Sequence, residues 1–96
     1  MAQIDSLAEQ AIQRAGQGVD PSIERRLDAA ARRVLSTLDD SDPTAPAALR
    51  DTVEMAKRVM EAADPEAPRM MLELARKGLT RALRRHDAQG DLASAA

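Results

Sequence analysis

The sequence predicts an all-α protein, a small up-and-down bundle of three long helices and a shorter N-terminal helix. Apolar residues recur at the 3.6-residue spacing of a helix along most of the chain, and no stretch alternates like a strand. Asp-Pro recurs at residues 20–21, 42–43 and 64–65, where we expect helices to begin. Connections this short favour antiparallel neighbours.

The first helix is predicted from an apolar face that stops before two glycines. Ser6 and Glu9 have the spacing of a capping box at its start. Gly16 and Gly18 end the pattern, as glycines commonly do after a helix. The residues of this face are Ile4, Leu7, Ala8, Ala11, Ile12 and Ala15.

The second helix has the clearest pattern. Asp20 is a favourable N-cap, and Pro21 has the fixed φ that suits the first helical turn. Arginines occupy the side opposite its apolar face. That face consists of Ile23, Leu27, Ala30, Ala31, Val34, Leu35 and Leu38.

The third helix is expected over about 45–63 and the fourth over about 66–87, ending before Gly90. One helical domain, 1–88, is therefore followed by a flexible tail, 89–96. The predicted core faces are Leu49, Val53, Ala56, Val59, Met60 and Ala63 in the third helix, and Met71, Leu74, Ala75, Gly78, Leu79, Ala82 and Leu83 in the fourth.

The last two Asp-Pro pairs belong to one five-residue pattern, Asp-Pro-x-Ala-Pro. If Asp64 were the N-cap, Pro68 would lack the N–H that makes the first intrahelical hydrogen bond. We therefore expect a short turn that starts at Pro65 and passes into helix near Pro68. The same turn is expected between Pro43 and Pro46.

The composition excludes several classes of protein. Without cysteine there is no disulfide framework, cysteine zinc site or thiol chemistry, and without aromatics there is no platform for stacking bases. No apolar run approaches the length of a membrane span, and Asp5, Glu9 and Arg14 interrupt the segment where a signal peptide needs an apolar stretch. We expect a cytoplasmic protein with no membrane partner. Its preference for arginine over lysine is typical of a GC-rich bacterial or phage genome.

No combination of residues predicts catalysis. His86, the one histidine, lies between Arg85 and Asp87 at the end of the last helix, where a cation suits the helix dipole. The serines lack a Gly-x-Ser-x-Gly context, and there is no glycine-rich phosphate loop. The acidic cluster Asp39, Asp40 and Asp42 lacks the glycine and glutamate of a calcium loop. We predict no enzyme activity, cofactor or metal.

Basic residues are concentrated in the last helix. Six of the 14 lie there, and Lys77, Arg81 and Arg85 follow one another at helical spacing. Like charges stacked in this way destabilise a helix by a few tenths of a kcal/mol per pair. Elsewhere the spacing predicts favourable pairs, namely Asp28 with Arg32, Glu54 with Arg58 and Glu73 with Lys77. The stacked cations therefore indicate either an anionic partner or acidic faces of neighbouring helices.

Two methionines complete the candidate surface. Adjacent helical residues point about 100° apart, so we expect either Met70 or Met71 to be exposed. Flexible methionines suit irregular binding surfaces, although they also fill cores. The leading hypothesis is a non-catalytic protein–protein interaction module whose partner carries an acidic surface. Its predicted binding residues are Met70, Met71, Lys77, Arg81, Arg84 and Arg85.

Self-association is a second part of this hypothesis. A core built from aliphatic side chains and alanine is thin for 96 residues, and a homo-oligomer buries more apolar surface.

The alternative is a nucleic-acid-binding regulator that uses the arginines of the last helix with Arg25 and Arg32. It requires the second and fourth helices to be neighbours. The sequence pI of 5.3 opposes it.

Overall fold

The computed structural model describes residues 2–38 and 43–95, with side chains described from residue 3 to residue 85 inside these ranges. The described residues form helices and contain no strand, which confirms the all-α bundle. The molecule measures 51 × 23 × 19 Å. In chain order the helices are α1 (Ala2–Gln13), α2 (Pro21–Thr37), α3 (Thr44–Glu61) and α4 (Glu66–Ala95).

Helix α3 is the centre of the bundle. A link of four residues, 62–65, joins it to α4, and the two helices share the most extensive interface in the molecule. Helix α1 packs against α3 and α2 and makes a smaller contact with α4. Helix α2 packs against α1 and α3, and within the described ranges it makes no contact with α4.

The start of α2 confirms the sequence prediction. The carboxylate of Asp20 accepts hydrogen bonds from the backbone N–H groups of Ser22 at 2.9 Å and Ile23 at 3.4 Å. Pro21 is the first residue of the helix. Two backbone donors that lack intrahelical partners are thereby satisfied, so the chain enters α2 in one defined geometry.

Both double prolines lie at helix starts, but the predicted turn between the two prolines is wrong, because each helix begins directly after the first proline. Helix α4 begins at Glu66, so Pro68 is its third residue, a position that needs no N–H inside the helix. The first intrahelical bond runs from the N–H of Arg69 to the carbonyl of Pro65, at 2.9 Å. Helix α3 repeats this geometry, with Pro46 as its third residue.

The predicted capping box in α1 is wrong. The helix already includes Ala2, so Ser6 and Glu9 lie inside it. The hydroxyl of Ser6 instead accepts a long hydrogen bond, 3.4 Å, from the side-chain amide of Gln10. Ile4 is buried, and its place in the core requires helix to begin before the residues that resemble a cap.

The loop between α1 and α2 closes the C-terminal end of α3. The N–H of Gly16 donates to the carbonyl of Val59 at 3.0 Å, and that of Gly18 donates to the carbonyl of Met60 at 2.7 Å. These carbonyls belong to the last turn of α3, which has no intrahelical donors for them. Both glycines have positive φ, +75° and +95°, as the loop requires.

The core faces of α1, α2 and α3 agree with the sequence prediction at most positions. Ala63 is exposed, and Ala45 and Thr52 are buried although they were not predicted. Six predicted core residues are only partly buried, namely Ile12, Ala15, Ala31, Val34, Leu35 and Leu38. The buried positions are Ile4, Leu7, Ala8, Ala11, Ile23, Leu27, Ala30, Ala45, Leu49, Thr52, Val53, Ala56, Val59 and Met60.

The predicted core face of α4 is partly wrong. Leu79 and Ala82 are buried as predicted, but Met71 and Leu74 are 47% and 68% exposed. Leu72, absent from the predicted face, is completely buried. Four residues after Leu72 the sequence has an arginine, and this charge interrupts the apolar pattern that would have identified the true face.

The end of α4 also differs from the prediction. The helix continues through Gly90 to Ala95 instead of ending near residue 87. The residues after His86 are mostly good helix formers, and one glycine costs a helix only about 1 kcal/mol. The flexible tail predicted for 89–96 remains untested. Asp39, Asp40 and Asp42 lie outside the described residues.

We expect Gly16→Ala to destabilise the fold by about 1 kcal/mol, because alanine is strained at positive φ. Gly78→Ala is the matched control, since its added methyl meets no atom within 4 Å and α4 is an ordinary helix there. It should stabilise by up to about 1 kcal/mol. Chemical denaturation measures both, and a Gly16→Ala variant as stable as the parent would contradict the docking of this loop.

A second pair of variants tests the rotation of α4. Leu72→Ala should cost about 2–5 kcal/mol because it opens a cavity in the core. Leu74→Ala, two residues away, removes an exposed side chain and should change the free energy of unfolding by about 0.5 kcal/mol or less. Thermal and urea melts of the two variants check this. If Leu74→Ala destabilised the fold more than Leu72→Ala, the buried face of α4 would be the one predicted from the sequence.

Candidate interaction surface on helix α4

One arginine of α4 is neutralised inside the bundle. The Arg76 guanidinium lies 2.8 Å from the Glu9 carboxylate, 3.6 Å from that of Asp5 and 3.3 Å from that of Glu73. Its side chain is only 17% exposed. Burial lowers the pKa of Arg76, but the hydrogen bond to Glu9 and the charges of Glu73, Glu9 and Asp5 raise it by more in total. The net upward shift keeps this cation charged at any physiological pH.

For Arg76, the acidic faces of neighbouring helices are therefore the correct explanation. Two of its partners come from α1, so the cluster fixes α1 against α4. The third, Glu73, was predicted to pair with Lys77, and it turns to Arg76 because that cation is less exposed to water.

The other predicted pairs have mixed outcomes. Glu54 and Arg58 lie 3.3 Å apart, as predicted. Asp28 was predicted to pair with Arg32, but its partner is Lys57 of α3, at 3.3 Å. Sequence spacing identifies pairs within one helix and not the competing pairs between helices.

We expect Arg76→Gln to destabilise the fold by about 1–2 kcal/mol, because the carboxylates of Glu9 and Glu73 lose a charged hydrogen-bond donor shielded from water and Asp5 loses its ion pair. Arg58→Gln is the control: it removes one exposed pair, worth about 0.5 kcal/mol or less. Added salt should reduce the difference between parent and Arg76→Gln. Denaturation at low and high salt measures this, and equal losses for the two variants would show that the cluster contributes no more than a surface pair.

The remaining cations of α4 have no such partners. Lys77, Arg81, Arg84 and Arg85 are exposed, and within the described part of the chain none makes an ion pair or a side-chain hydrogen bond. Lys77, Arg81 and Arg84 border a shallow groove that runs along the helix beside Thr80. Of the six basic residues of this helix, the fold therefore neutralises one and leaves five in solvent, these four and Arg69.

Large apolar side chains are exposed next to these cations. Met70 is 64% exposed, in addition to Met71 and Leu74. The sequence predicted that one methionine would face solvent, and both do. A shallow groove between α3 and α4 lies under this cluster, lined by Ala48, Asp51, Met55, Met71, Leu74, Ala75 and Gly78.

These two groups form one surface. Met70, Leu74, Lys77 and Arg81 are separated by four, three and four residues, which places them on one side of the helix. The N-terminal part of this side is apolar and the C-terminal part is basic. We call it the α4 face, and it consists of Met70, Met71, Leu74, Lys77, Arg81, Arg84 and Arg85.

The arginines of α2 do not extend the α4 face. A combined basic surface of Arg25, Arg32 and the last helix required α2 and α4 to be neighbours, and in the described residues these helices make no contact. The side chain of Arg25 points back along its own helix, donating to the carbonyl of Pro21 at 3.4 Å.

The described residues contain no group of three or more His, Cys, Asp or Glu residues that could hold a metal ion. Ser36 donates its hydroxyl proton to the carbonyl of Arg33 within its own helix, at 2.7 Å. The side chain of His86 lies outside the described residues. Among the described residues, no helix is long and apolar enough to cross a membrane.

Comparison of the chain with protein-family models, curated proteins and solved structures finds no match.

Proposed function

We propose that the protein is a non-catalytic helical protein–protein interaction module, and that the α4 face is its interaction surface. The observation that carries this proposal is the combination, on one side of one helix, of three exposed large apolar side chains and four cations that form no ion pair among the described residues. The partner surface that fits it has an apolar patch next to acidic groups. Self-association is part of the proposed function.

The apolar half of the face supplies the affinity. Isolated exposed apolar residues are ordinary on protein surfaces, but three within five positions of one helix form a contiguous patch. Covering such a patch releases about 25 cal/mol for each Å² removed from water. The groove beneath Met71 and Leu74 gives a partner side chain a concave surface to fill.

The basic half supplies orientation. Clustered cations steer an acidic surface toward them and disfavour a basic one. The chain has acidic groups able to neutralise an arginine, as Arg76 shows, yet Lys77, Arg81, Arg84 and Arg85 remain unpaired among the described residues. An acidic partner compensates the repulsion that this stacking creates.

Nucleic acid is the second candidate, and the four unpaired cations are the observation in its favour. Phosphate contacts make affinity fall steeply with salt, whereas an interface centred on Met71 and Leu74 loses affinity only gradually. The net charge of −2 and the separation of α2 from α4 favour the protein partner.

The experiment compares two charge-reversed variants as immobilised bait in cell lysate, with and without nuclease. Arg81→Glu, Arg85→Glu alters the α4 face, and Arg26→Glu, Arg32→Glu makes the same charge change on exposed positions of α2. Captured proteins are identified by mass spectrometry, and binding is repeated with purified candidates. Melting temperatures are recorded for each bait.

We expect the α4 variant to lose purified-partner binding at least tenfold while its melting temperature stays close to that of the parent, because its altered residues are exposed and unpaired. The α2 variant should bind like the parent. Equal binding by both variants would contradict the role of the α4 face. Loss of binding after nuclease treatment would show that the partner is nucleic acid and not protein.

A further inference from the structure

We infer that the partner of the α4 face is a second copy of this chain, bound with its α4 antiparallel to the first. This inference rests on the proposed function, since it takes the α4 face as the docking surface and names what occupies it. The partner described above needs acidic groups beside an apolar patch, and the chain itself carries that combination.

The acidic groups lie at the other end of the apolar patch. Glu61 is the last residue of α3, Asp64 lies in the turn and Glu66 begins α4, and all three are exposed. The Asp64 carboxylate accepts one hydrogen bond, from the backbone N–H of Glu66 at 3.3 Å. None of the three forms an ion pair within the described residues. Along α4, the order is therefore acidic, apolar and basic.

A two-fold axis that crosses α4 at the level of residue 72 relates the two copies. It places the acidic group of each copy opposite the basic group of the other. Met70 of each copy then faces Leu74 of the other, so the apolar patches cover each other. At 1.5 Å per residue, Lys77 lies about 7.5 Å from the axis on one side and Glu66 about 9 Å on the other. Lys77 of one copy therefore meets Glu66 of the second copy.

The next cation continues the match. Arg81 lies about 13.5 Å from the axis, beyond Lys77, and Asp64 lies beyond Glu66 in the turn before α4, so these two are also brought toward each other across the dimer. Two-fold symmetry repeats each contact, so Lys77 and Arg81 of both copies gain acidic neighbours.

The parallel arrangement is excluded by the same charges. In a parallel pair, Lys77 and Arg81 of one copy would lie beside Lys77 and Arg81 of the other. The acidic ends would also lie side by side, so every charged contact would be repulsive. Reversing one helix turns each of these contacts into an attraction. The small residues Ala75 and Gly78, which line the groove beside the apolar patch, allow the second helix to approach closely.

Charge exchange at one contact tests both the dimer and its register. We would prepare Glu66→Lys, Lys77→Glu and the double variant carrying both changes, which keeps the parent's net charge. Arg26→Glu on α2 is the control, because it changes the net charge as Lys77→Glu does at an exposed position far from the face. Sedimentation equilibrium from low to high micromolar concentration measures the dimer Kd, and circular dichroism melts monitor folding.

We expect the parent to reach twice 10.4 kDa as its concentration rises. Each single variant should raise the dimer Kd by about ten- to thirtyfold, because two symmetric contacts change from attraction to repulsion. The double variant should return the Kd to within about threefold of the parent, and Arg26→Glu should leave it unchanged. Leu74→Ser should give a folded monomer.

Two results would overturn the inference. A parent that stays monomeric at every concentration excludes the second copy. Single variants that dimerise like the parent, or a double variant that is no better than the singles, exclude this register. A monomeric parent also removes self-association from the proposed function. The role of the α4 face as an interaction surface fails separately, if the Arg81→Glu, Arg85→Glu bait binds its purified partners like the α2 control.

Discussion

The packing of every other helix depends on α3. It contacts α1, α2 and α4, and its buried positions form one apolar stripe that faces these three helices. With no aromatic side chain available, the core is filled by aliphatic residues and alanine, so helices must approach α3 closely from several sides. Thr52 is the one buried polar residue among the described side chains. It donates its hydroxyl proton to the carbonyl of Ala48 at 2.8 Å, so its burial leaves that hydroxyl satisfied. The glycine loop closes the far end of the same helix.

The position of α4 follows from this arrangement. Helices α1 and α2 occupy the rest of the buried side of α3, so α4 packs mainly on one neighbour, with α1 touching its edge. A helix with one principal neighbour buries a single stripe and leaves more than half of its circumference in solvent. The α4 face occupies that exposed half. Its residues are thus available to a partner because of where α4 lies, and the apolar ones among them have no core position left to fill.

Much of the fold could be predicted from the sequence, because the signals were local. Asp20 with Pro21 and the double prolines fix helix starts through a few neighbouring residues, and the faces of α1, α2 and α3 are uninterrupted. The rotation of α4 could not be predicted, because it depends on the carboxylates of Asp5 and Glu9, more than 60 residues away in sequence. The candidate residues Met70, Lys77 and Arg81 are exposed as the hypothesis required, but Leu74 was assigned to the core. Its exposure follows from the same rotation.

Side-chain volume and charge together select this rotation of α4. Turning the helix by about 100° would bury the stripe containing Met71 and Leu74. The same turn would bring Leu72 and Leu79 toward solvent, since they lie on the opposite edge. It would carry Arg76 away from the acidic residues of α1 and move Arg85 toward the apolar interior, where an unpaired charge is costly. The observed rotation buries Leu72 and Leu79. It also keeps Arg76, which lies between them in the sequence, beside its acidic partners. The cluster around Arg76 therefore holds the α4 face outward, so that a contact inside the monomer determines which side chains a partner meets.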